Sequence, residues 1–318
     1  MKDFLRIILV LVLATAGILS LIPYLKTNVN NDVASLSPPV KEKVKEKDEI
    51  RILFAGDFMF DRYIREMAQK KGNDFILEQV EDVLAGNDLV VVNLESPITT
   101  FPSRSIGSKI GSPENYVFTA DPSVAATLFN HNIRLVNLGN NHILNFGTEG
   151  LAQTKAYLDQ NGINYFGSDD KAYEIINFEG YKIGFVGYNQ FSTGSKERAI
   201  QAISQLVDST DFVVLYTHWG NEYITTSEQT IRDLAHEFKD KGADLIIGSH
   251  PHVVQQKEVY KGKTIYYSLG NFIMDQYFDE NVRNGLLVIL TINISTNDQR
   301  TEEIPVEMTI TGQTVLKR

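Results

Sequence analysis

The 318-residue sequence contains no cysteine, and this absence removes several kinds of site at once. Disulfide bonds, thiolate zinc sites, cysteine nucleophiles and a cysteine that carries a lipid anchor are all excluded. Any metal ion must therefore be held by histidine, asparagine, aspartate or glutamate side chains.

Basic residues are also in short supply, because 30 lysines and arginines face 40 acidic side chains and the formal net charge is −10. Nucleic-acid-binding proteins usually carry a basic surface, so we expect no nucleic acid partner. The content of 43% hydrophobic and 22% charged residues is typical of a globular protein with a full core.

An almost entirely apolar run extends from Ile7 to Ile22, with Lys2 and Arg6 before it. Such a segment is typical of a secretory signal or of an uncleaved membrane anchor. The small residues Ala14 and Ala16 resemble a cleavage site but lie inside the run, which favours an N-terminal transmembrane helix.

Three regions follow from this pattern. Residues 1–26 are predicted to form a single-pass anchor in the cell membrane, with the rest of the chain outside the cytoplasm. Residues 27–49 are polar, contain Pro38-Pro39 and predict a disordered linker. Residues 50–318 are predicted to form one folded domain.

From Ile50 onward, short apolar runs alternate with amphipathic stretches, which predicts an α/β fold. Hairpins are expected at Glu179-Gly180 and Lys261-Gly262. Periodicity is compatible with two packed sheets and also with one mixed sheet. The strands that end in polar loops are predicted at Ile50–Ala55, Leu89–Val92, Arg134–Leu138, Phe212–Tyr216 and Leu245–Ile247.

Side chains suited to metal chemistry follow each of these five strands. Ligands bind beyond the carboxyl ends of strands in α/β sheets, so these side chains are expected to converge. Carboxylates, an amide oxygen and imidazoles suit Mn²⁺, Fe or Zn²⁺ better than Ca²⁺. The residues are Asp57, Glu95, Asn141, His142, His218, His250 and His252.

His250 and His252 follow a mostly apolar strand, with Pro251 between them. In an extended segment residues i and i+2 point to the same face, so the two imidazoles are expected to reach two adjacent ions. Purely structural roles are the alternative. Asp57 and Asn141 are good helix caps, His142 and His218 can be loop or core histidines, and Glu95 can pair with Arg62.

Six motifs in order carry a family resemblance: GDFMFDR, NLESPIT, NLGNNHILNFG, THWGNEY, GSHPHVVQ and YSLGNFI. Together they resemble the CapA family of poly-γ-glutamate capsule biosynthesis proteins, which is similar to the calcineurin-like metallophosphoesterases. The resemblance implies a four-layer α/β/β/α sandwich, metallophosphoesterase-like, with two divalent metal ions.

The resemblance also implies a role for each residue. His142 would donate a proton to the leaving group, and Arg62 would hold an anionic group of the substrate. The implied ligand sets are Asp57 with His252 on one ion, Asn141 with His218 and His250 on the other, and Glu95 as the bridge.

Three departures from the family pattern bear on this expectation. Met59 stands where phosphoesterases often have a histidine, so one ion loses a nitrogen ligand. The bridging Glu95 replaces the usual aspartate, and Asn145 stands where the CapA pattern usually has aspartate. A weakly loaded or single-metal site is therefore the alternative to two ions.

Two functions of different classes are predicted. The first is a membrane-anchored extracytoplasmic hydrolase that acts on a phosphoester or on the amide linkage of an anionic polymer. The second is a non-catalytic polymer-binding or scaffolding subunit, with other membrane subunits of a capsule polymer synthesis or export complex as partners. An anchored phosphatase or nucleotidase is a further alternative.

Overall fold

The computed structural model describes residues 48–317. The predicted anchor and all but the end of the predicted linker lie outside these residues, so both stay predictions. No helix within residues 48–317 has the length and apolar character needed to span a bilayer.

The described residues form 14 strands. Their bounds are β1 (Glu49–Phe58), β2 (Leu89–Leu94), β3 (Ile133–Asn137), β4 (Asn164–Phe166), β5 (Tyr173–Phe178), β6 (Tyr181–Asn189), β7 (Phe212–His218), β8 (Leu245–Ser249), β9 (Lys257–Tyr260), β10 (Lys263–Tyr266), β11 (Asn271–Ile273), β12 (Asn284–Asn293), β13 (Gln299–Met308) and β14 (Thr314–Leu316).

Seven α-helices and three short 3-10 turns connect these strands within the described residues. The helices are α1 (Arg62–Lys71), α2 (Glu81–Ala85), α3 (Ser123–Asn130), α4 (Gly147–Gln160), α5 (Ser195–Val207), α6 (Gln229–Asp240) and α7 (Glu280–Arg283). The 3-10 turns are Asp74–Ile76, Glu78–Val80 and Pro113–Tyr116.

The strands form two sheets. The first has eight strands in the order β14-β13-β12-β1-β2-β3-β4, with β11 beside β1. Strands β1 to β4 are parallel, and β12 to β14 extend the sheet by antiparallel pairing. The buried sequence of β2, LVVVNL, has the continuous apolar character of a parallel strand covered on both faces.

The second sheet has six strands in the order β5-β6-β7-β8-β10-β9. Its four central strands are parallel, and each edge strand belongs to an antiparallel hairpin. Both predicted hairpins are confirmed, and all four turn residues have positive φ, with 52° and 106° at Glu179-Gly180 and 51° and 80° at Lys261-Gly262. These values match the turns that two-residue hairpins favour.

Three apolar clusters define the layers. One lies between the sheets and joins Ile52 and Val91 of the first sheet to Phe185 and Val214 of the second. The outer face of the first sheet packs against α1 to α4, and that of the second packs against α5 and α6. Mixed α/β architecture with two packed sheets, one of the predicted alternatives, is therefore the observed one.

The five predicted strands all occur, with ends that differ by a few residues at most. Prediction missed β4 and the C-terminal strands β11 to β14, which together complete the first sheet. One close contact depends on glycine. A β-carbon at Gly56 would lie 1.8 Å from the Gly270 carbonyl oxygen, so only glycine lets β1 approach the segment that leads into β11.

Candidate metal centre

All six predicted metal ligands lie at the carboxyl ends of parallel strands, as the sequence predicts. The first sheet contributes one half of the cluster and the second sheet the other. Asn141 is exposed and the other five side chains are buried. The predicted ligands are Asp57 in β1, Glu95 after β2, Asn141 after β3, His218 at the end of β7, and His250 and His252 after β8.

Glu95, His218 and His250 form what we call the first ligand group. Their ligand atoms all lie within 4.8 Å of one another. His218 Nε2 is 3.8 Å from Glu95 Oε1 and 3.1 Å from His250 Nδ1. Asn141 Oδ1 lies 2.8 Å from the same His218 Nε2, so the amide oxygen faces this group too.

Asp57, Glu95 and His252 form the second ligand group. His252 Nδ1 is 3.2 Å from Asp57 Oδ2, and His252 Nε2 is 3.8 Å from Glu95 Oε1. Glu95 thus belongs to both groups. The two groups contain the histidines and carboxylates that the family resemblance assigns to two ions, and the assignment itself stays a prediction.

The environment of Glu95 indicates whether the site is suited to hold cations. It is fully buried, and neither carboxylate oxygen has a hydrogen-bond partner among the described residues. Burial, and then the charge of Asp57, raise the pKa of Glu95 well above its usual range. An unpartnered buried carboxylate is costly, and nearby cations offset that cost. The donor set therefore fits divalent metal ions.

The imidazoles differ in charge. Burial lowers the pKa of His250 to about 4 and that of His218 well below its usual range, so both are neutral at pH 7. Burial also disfavours a charge on His252, but the Glu95 and Asp57 carboxylates outweigh burial and raise its pKa to about 10. An ion that enters the second ligand group must displace this proton.

The backbone at the paired histidines differs from expectation. The φ angles of His250 and His252 are 94° and 58°, so the predicted extended geometry is wrong. Their rings still approach, with centroids 6.0 Å apart, because the chain turns sharply after β8. The backbone N–H of His250 donates to Asp57 Oδ2 at 3.1 Å and ties this turn to β1.

Side chains behind the ligands orient two of the imidazoles. The Ser249 hydroxyl donates to the Thr217 carbonyl at 2.7 Å, so its oxygen accepts from His218 Nδ1 at 3.1 Å. His252 Nδ1 lies 2.9 Å from Asn271 Oδ1. Both contacts leave Nε2 of the imidazole facing Glu95, as metal-ligating histidines require.

Sequence reasoning missed three supporting residues. They are Ser249, Asn271 and Asn93, which donates to Asp57 Oδ1 at 2.8 Å and lies 3.2 Å from His218 Nδ1. All three stand inside the motifs GSHPHVVQ, YSLGNFI and NLESPIT. In the sequence, the position of these residues within the motifs was the sign that they belong to the site. Their contacts join different strands, so local sequence patterns do not predict them.

His142 faces the centre from beside Asn141. Its Nδ1 donates to the Tyr116 carbonyl at 3.1 Å and to Asn145 Oδ1 at 3.2 Å, and its Nε2 lies 4.0 Å from Glu95 Oε1. Burial lowers the pKa of His142 to about 4. Asn145 therefore supplies the acceptor that the family's aspartate would supply, without its charge.

Arg62 contacts residues outside the two ligand groups. Its Nη2 pairs with the Asp275 carboxylate, and its guanidinium carbon lies 4.9 Å from the centre of the Phe118 ring. Its Nε is buried and has no hydrogen-bond partner among the described residues. The alternative in which Glu95 pairs with Arg62 is wrong.

The helix-capping alternatives are also wrong. Asp57 lies within β1, and Asp61 occupies the N-cap position of α1. Asn141 precedes α4 by several residues, and Phe146 occupies the N-cap position of that helix.

Residues 51–276 match the family described as bacterial capsule synthesis protein PGA_cap. The chain belongs to this capsule synthesis family. The predicted resemblance is confirmed.

Two capsule proteins illustrate the relationship. PGA biosynthesis protein CapA of Bacillus subtilis is 34% identical over 258 residues, which cover 74% of this chain and 66% of that protein. Capsule biosynthesis protein CapA of Bacillus anthracis is 29% identical over 261 residues, which cover 75% of this chain and 62% of that protein. The match thus spans less than two thirds of the length of either relative.

A solved structure of a hypothetical protein from Thermus thermophilus resembles this capsule synthesis family member in fold. The TM-score is 0.50 at 16% identity, and the likeness covers 81% of this chain and 99% of that chain. At this identity the likeness concerns the fold alone.

Proposed function

We propose that the domain is a metal-dependent hydrolase that acts in poly-γ-glutamate capsule synthesis on the outer side of the cell membrane. The observation that carries this proposal is the pair of ligand groups that share Glu95, whose buried oxygens lack hydrogen-bond partners among the described residues. Membership of the capsule synthesis family supports the pathway.

Two ions of Mn, Fe or Zn would be held by the first ligand group with Asn141 and by the second ligand group. When bound, such ions activate a water molecule and stabilise negative charge on the reacting group. The side chains of the two ligand groups position the substrate linkage beside Glu95, which both groups share.

His142 supplies the proton for the leaving group in this proposal. Its Nδ1 is committed to two acceptors, so Nε2 is the atom that exchanges a proton with the substrate. An anionic group beside His142 raises the pKa of the imidazole and so favours its protonated form. Arg62 holds an anionic group of the substrate in this proposal, after Asp275 releases its guanidinium.

The N-terminal anchor places the domain beside membrane partners in this proposal. Residues 1–26 hold the chain in the membrane, and other membrane subunits of a capsule polymer synthesis complex are its partners. The anionic polymer or a phosphoester is the substrate.

A second candidate is a polymer-binding or scaffolding subunit without catalysis. The observation that favours it is Met59, whose sulfur lies 3.1 Å from the backbone nitrogen of Asp61 and whose side chain packs with Phe118 and Met274. The second ligand group therefore gains no nitrogen ligand from this position, and weak metal loading would suit a binding role.

The test is metal content by mass spectrometry on the purified full-length chain, with hydrolysis of 4-nitrophenyl phosphate in Mn²⁺. We expect two ions per chain and loss of turnover in His142→Ala. The control is His236→Ala, because His236 pairs with Glu258 outside the centre. Wild-type protein without metal and without turnover would contradict the hydrolase and favour the scaffolding subunit.

A further inference from the structure

Two cavities are each lined by an aromatic residue whose ring lies near a histidine of one ligand group. The first, which we call the aliphatic cavity, has a volume of about 690 Å³. Its Phe191 ring lies 4.5 Å from the His250 ring of the first ligand group. Its apolar lining also includes Leu138, Ile143, Leu144 and Leu151.

The second, which we call the aromatic cavity, has a volume of about 400 Å³. Its Tyr223 ring lies 6.0 Å from the His252 ring of the second ligand group, and the carbonyl of Tyr116 accepts from His142. Tyr63, Tyr277 and Phe278 complete the aromatic lining. The two cavities share no lining residue.

Large apolar side chains remain in water at both cavities. Leu144 and Phe191 of the aliphatic cavity are 52% and 48% exposed, and Phe278 of the aromatic cavity is 69% exposed. Single exposed apolar residues are common, but groups of them around a cavity indicate a binding surface. Covering them with organic groups of a ligand is favourable.

The charges of the cavities argue against a ligand that carries a carboxylate on every unit. Lys155 of the aliphatic cavity is paired with Asp170 at 2.7 Å, and Arg62 of the aromatic cavity is paired with Asp275. Glu66, which pairs with Lys70 at 4.0 Å, is a further acidic side chain that lines the aromatic cavity. A run of carboxylates would therefore meet paired cations and acidic side chains in both cavities.

We propose that the centre hydrolyses a phosphodiester whose two organic groups are uncharged, with one group in each cavity. This proposal rests on the proposed hydrolase function and narrows its substrate from phosphoesters and polymer amides to diesters. The oxygen of a water molecule forms a new bond to phosphorus, and the P–O bond to one organic group breaks. The imidazolium form of His142 gives its Nε2 proton to the leaving oxygen, and the proton that the water molecule loses passes to solvent, which later restores the proton of His142. The products are a phosphomonoester and an alcohol.

The first test compares kcat/KM for bis(4-nitrophenyl) phosphate and 4-nitrophenyl phosphate, using the full-length chain in Mn²⁺. We expect the diester to be favoured about tenfold, since a second filled cavity adds that much to transition-state binding. A monoester that is hydrolysed equally well or better would overturn the proposal and leave the hydrolase function intact.

If neither ester is hydrolysed, ligand binding tests the two cavities separately from hydrolysis. Isothermal titration of the Mn²⁺-treated chain would then compare diphenyl phosphate with phenyl phosphate. Absent turnover contradicts the hydrolase and with it hydrolysis of a diester, and about tenfold tighter binding of diphenyl phosphate would then support only the placement of one uncharged group in each cavity. If diphenyl phosphate binds no more tightly than phenyl phosphate, the placement of one uncharged group in each cavity is overturned.

A matched pair of variants on α4 locates the effect. Ala152 and Ala156 are both exposed, but only Ala152 lines the aliphatic cavity. We expect Ala152→Trp to lower the ratio of diester to monoester kcat/KM about fivefold, while Ala156→Trp keeps the wild-type ratio. An unchanged ratio in Ala152→Trp, or stronger inhibition by poly-γ-glutamate than by diphenyl phosphate, would contradict the proposal.

Discussion

The two ligand groups of the centre are built differently although they share Glu95. The first adds two neutral imidazoles, and the amide of Asn141 faces it, whereas the second adds one imidazole and the carboxylate of Asp57. The carboxylates raise the pKa of His252 to about 10, so the second group holds a proton at neutral pH. Metal ligands must be deprotonated, so we expect the first group to bind its ion more tightly.

Substitution of Glu95, which both ligand groups share, should abolish metal binding at both groups. The difference in affinity between the groups should then disappear. Glu95→Gln keeps the size of the side chain and removes its charge, so we expect loss of both ions and at least about a 10³-fold loss of turnover. Metal content and ester hydrolysis measure the two effects. His131→Ala is the control, because His131 pairs with Asp74 outside the centre. Two retained ions in Glu95→Gln would exclude Glu95 as a ligand.

Removing one imidazole from each group should reveal the difference. We expect His252→Ala to retain the tighter ion and His218→Ala to lose it, because His218 belongs only to the first ligand group. The variant that carries both His250→Ala and His252→Ala should lose bound metal and hydrolysis. Mn²⁺ titration of each variant gives the number and affinity of ions, and identical curves for the two single variants would contradict a two-site centre.

Substitutions of residues that contact the imidazoles of the predicted ligands should weaken metal binding at one ligand group and not at the other. Asn271 contacts the imidazole of His252, and Ser249 contacts that of His218. We expect Asn271→Ala to weaken only the weaker ion, and Ser249→Ala only the tighter one, by about tenfold each. Mn²⁺ titration checks both, and equal losses at both ions in either variant would argue against this division.

A buried lysine outside the centre should make the stability of the protein depend on pH without involving the metal ligands. Lys239 of α6 is buried and donates to the Asp244 carbonyl at 2.9 Å. Burial, and then nearby Lys263, lower the pKa of Lys239 from 10.5 to about 7. Between these values the unfolded chain holds a proton that the folded chain has released, so stability rises with pH through this window.

We expect the unfolding free energy of the wild type to rise by up to about 1.4 kcal/mol per pH unit relative to Lys239→Met between about pH 7 and pH 9. Urea unfolding with and without Mn²⁺ measures this slope, which should not depend on metal. Lys182→Met, at an exposed position of β6, is the control and should keep the wild-type slope. A slope that vanished with Mn²⁺ would assign the titration to the centre instead.

The candidate ligands could be named from the sequence because the choice depends on residue type and on position after a strand. Asp57, Glu95 and His218 each stand at or just beyond the end of an apolar run, and the carboxyl ends of parallel strands share one edge. The C-terminal strands were not predicted, because β12 and β13 pair with partners whose identity depends on the whole sheet.

Local sequence thus determines which side chains are available for chemistry, since strand periodicity and turn preferences act over a few residues. Packing of the two sheets determines which of these side chains meet. The contact of Asn271 with His252 and the lining of each cavity join segments distant in sequence, and the positive φ angles of His250 and His252 are not predicted by the pattern of the strand before them. Such contacts form only when the complete core closes, because no short segment contains both partners.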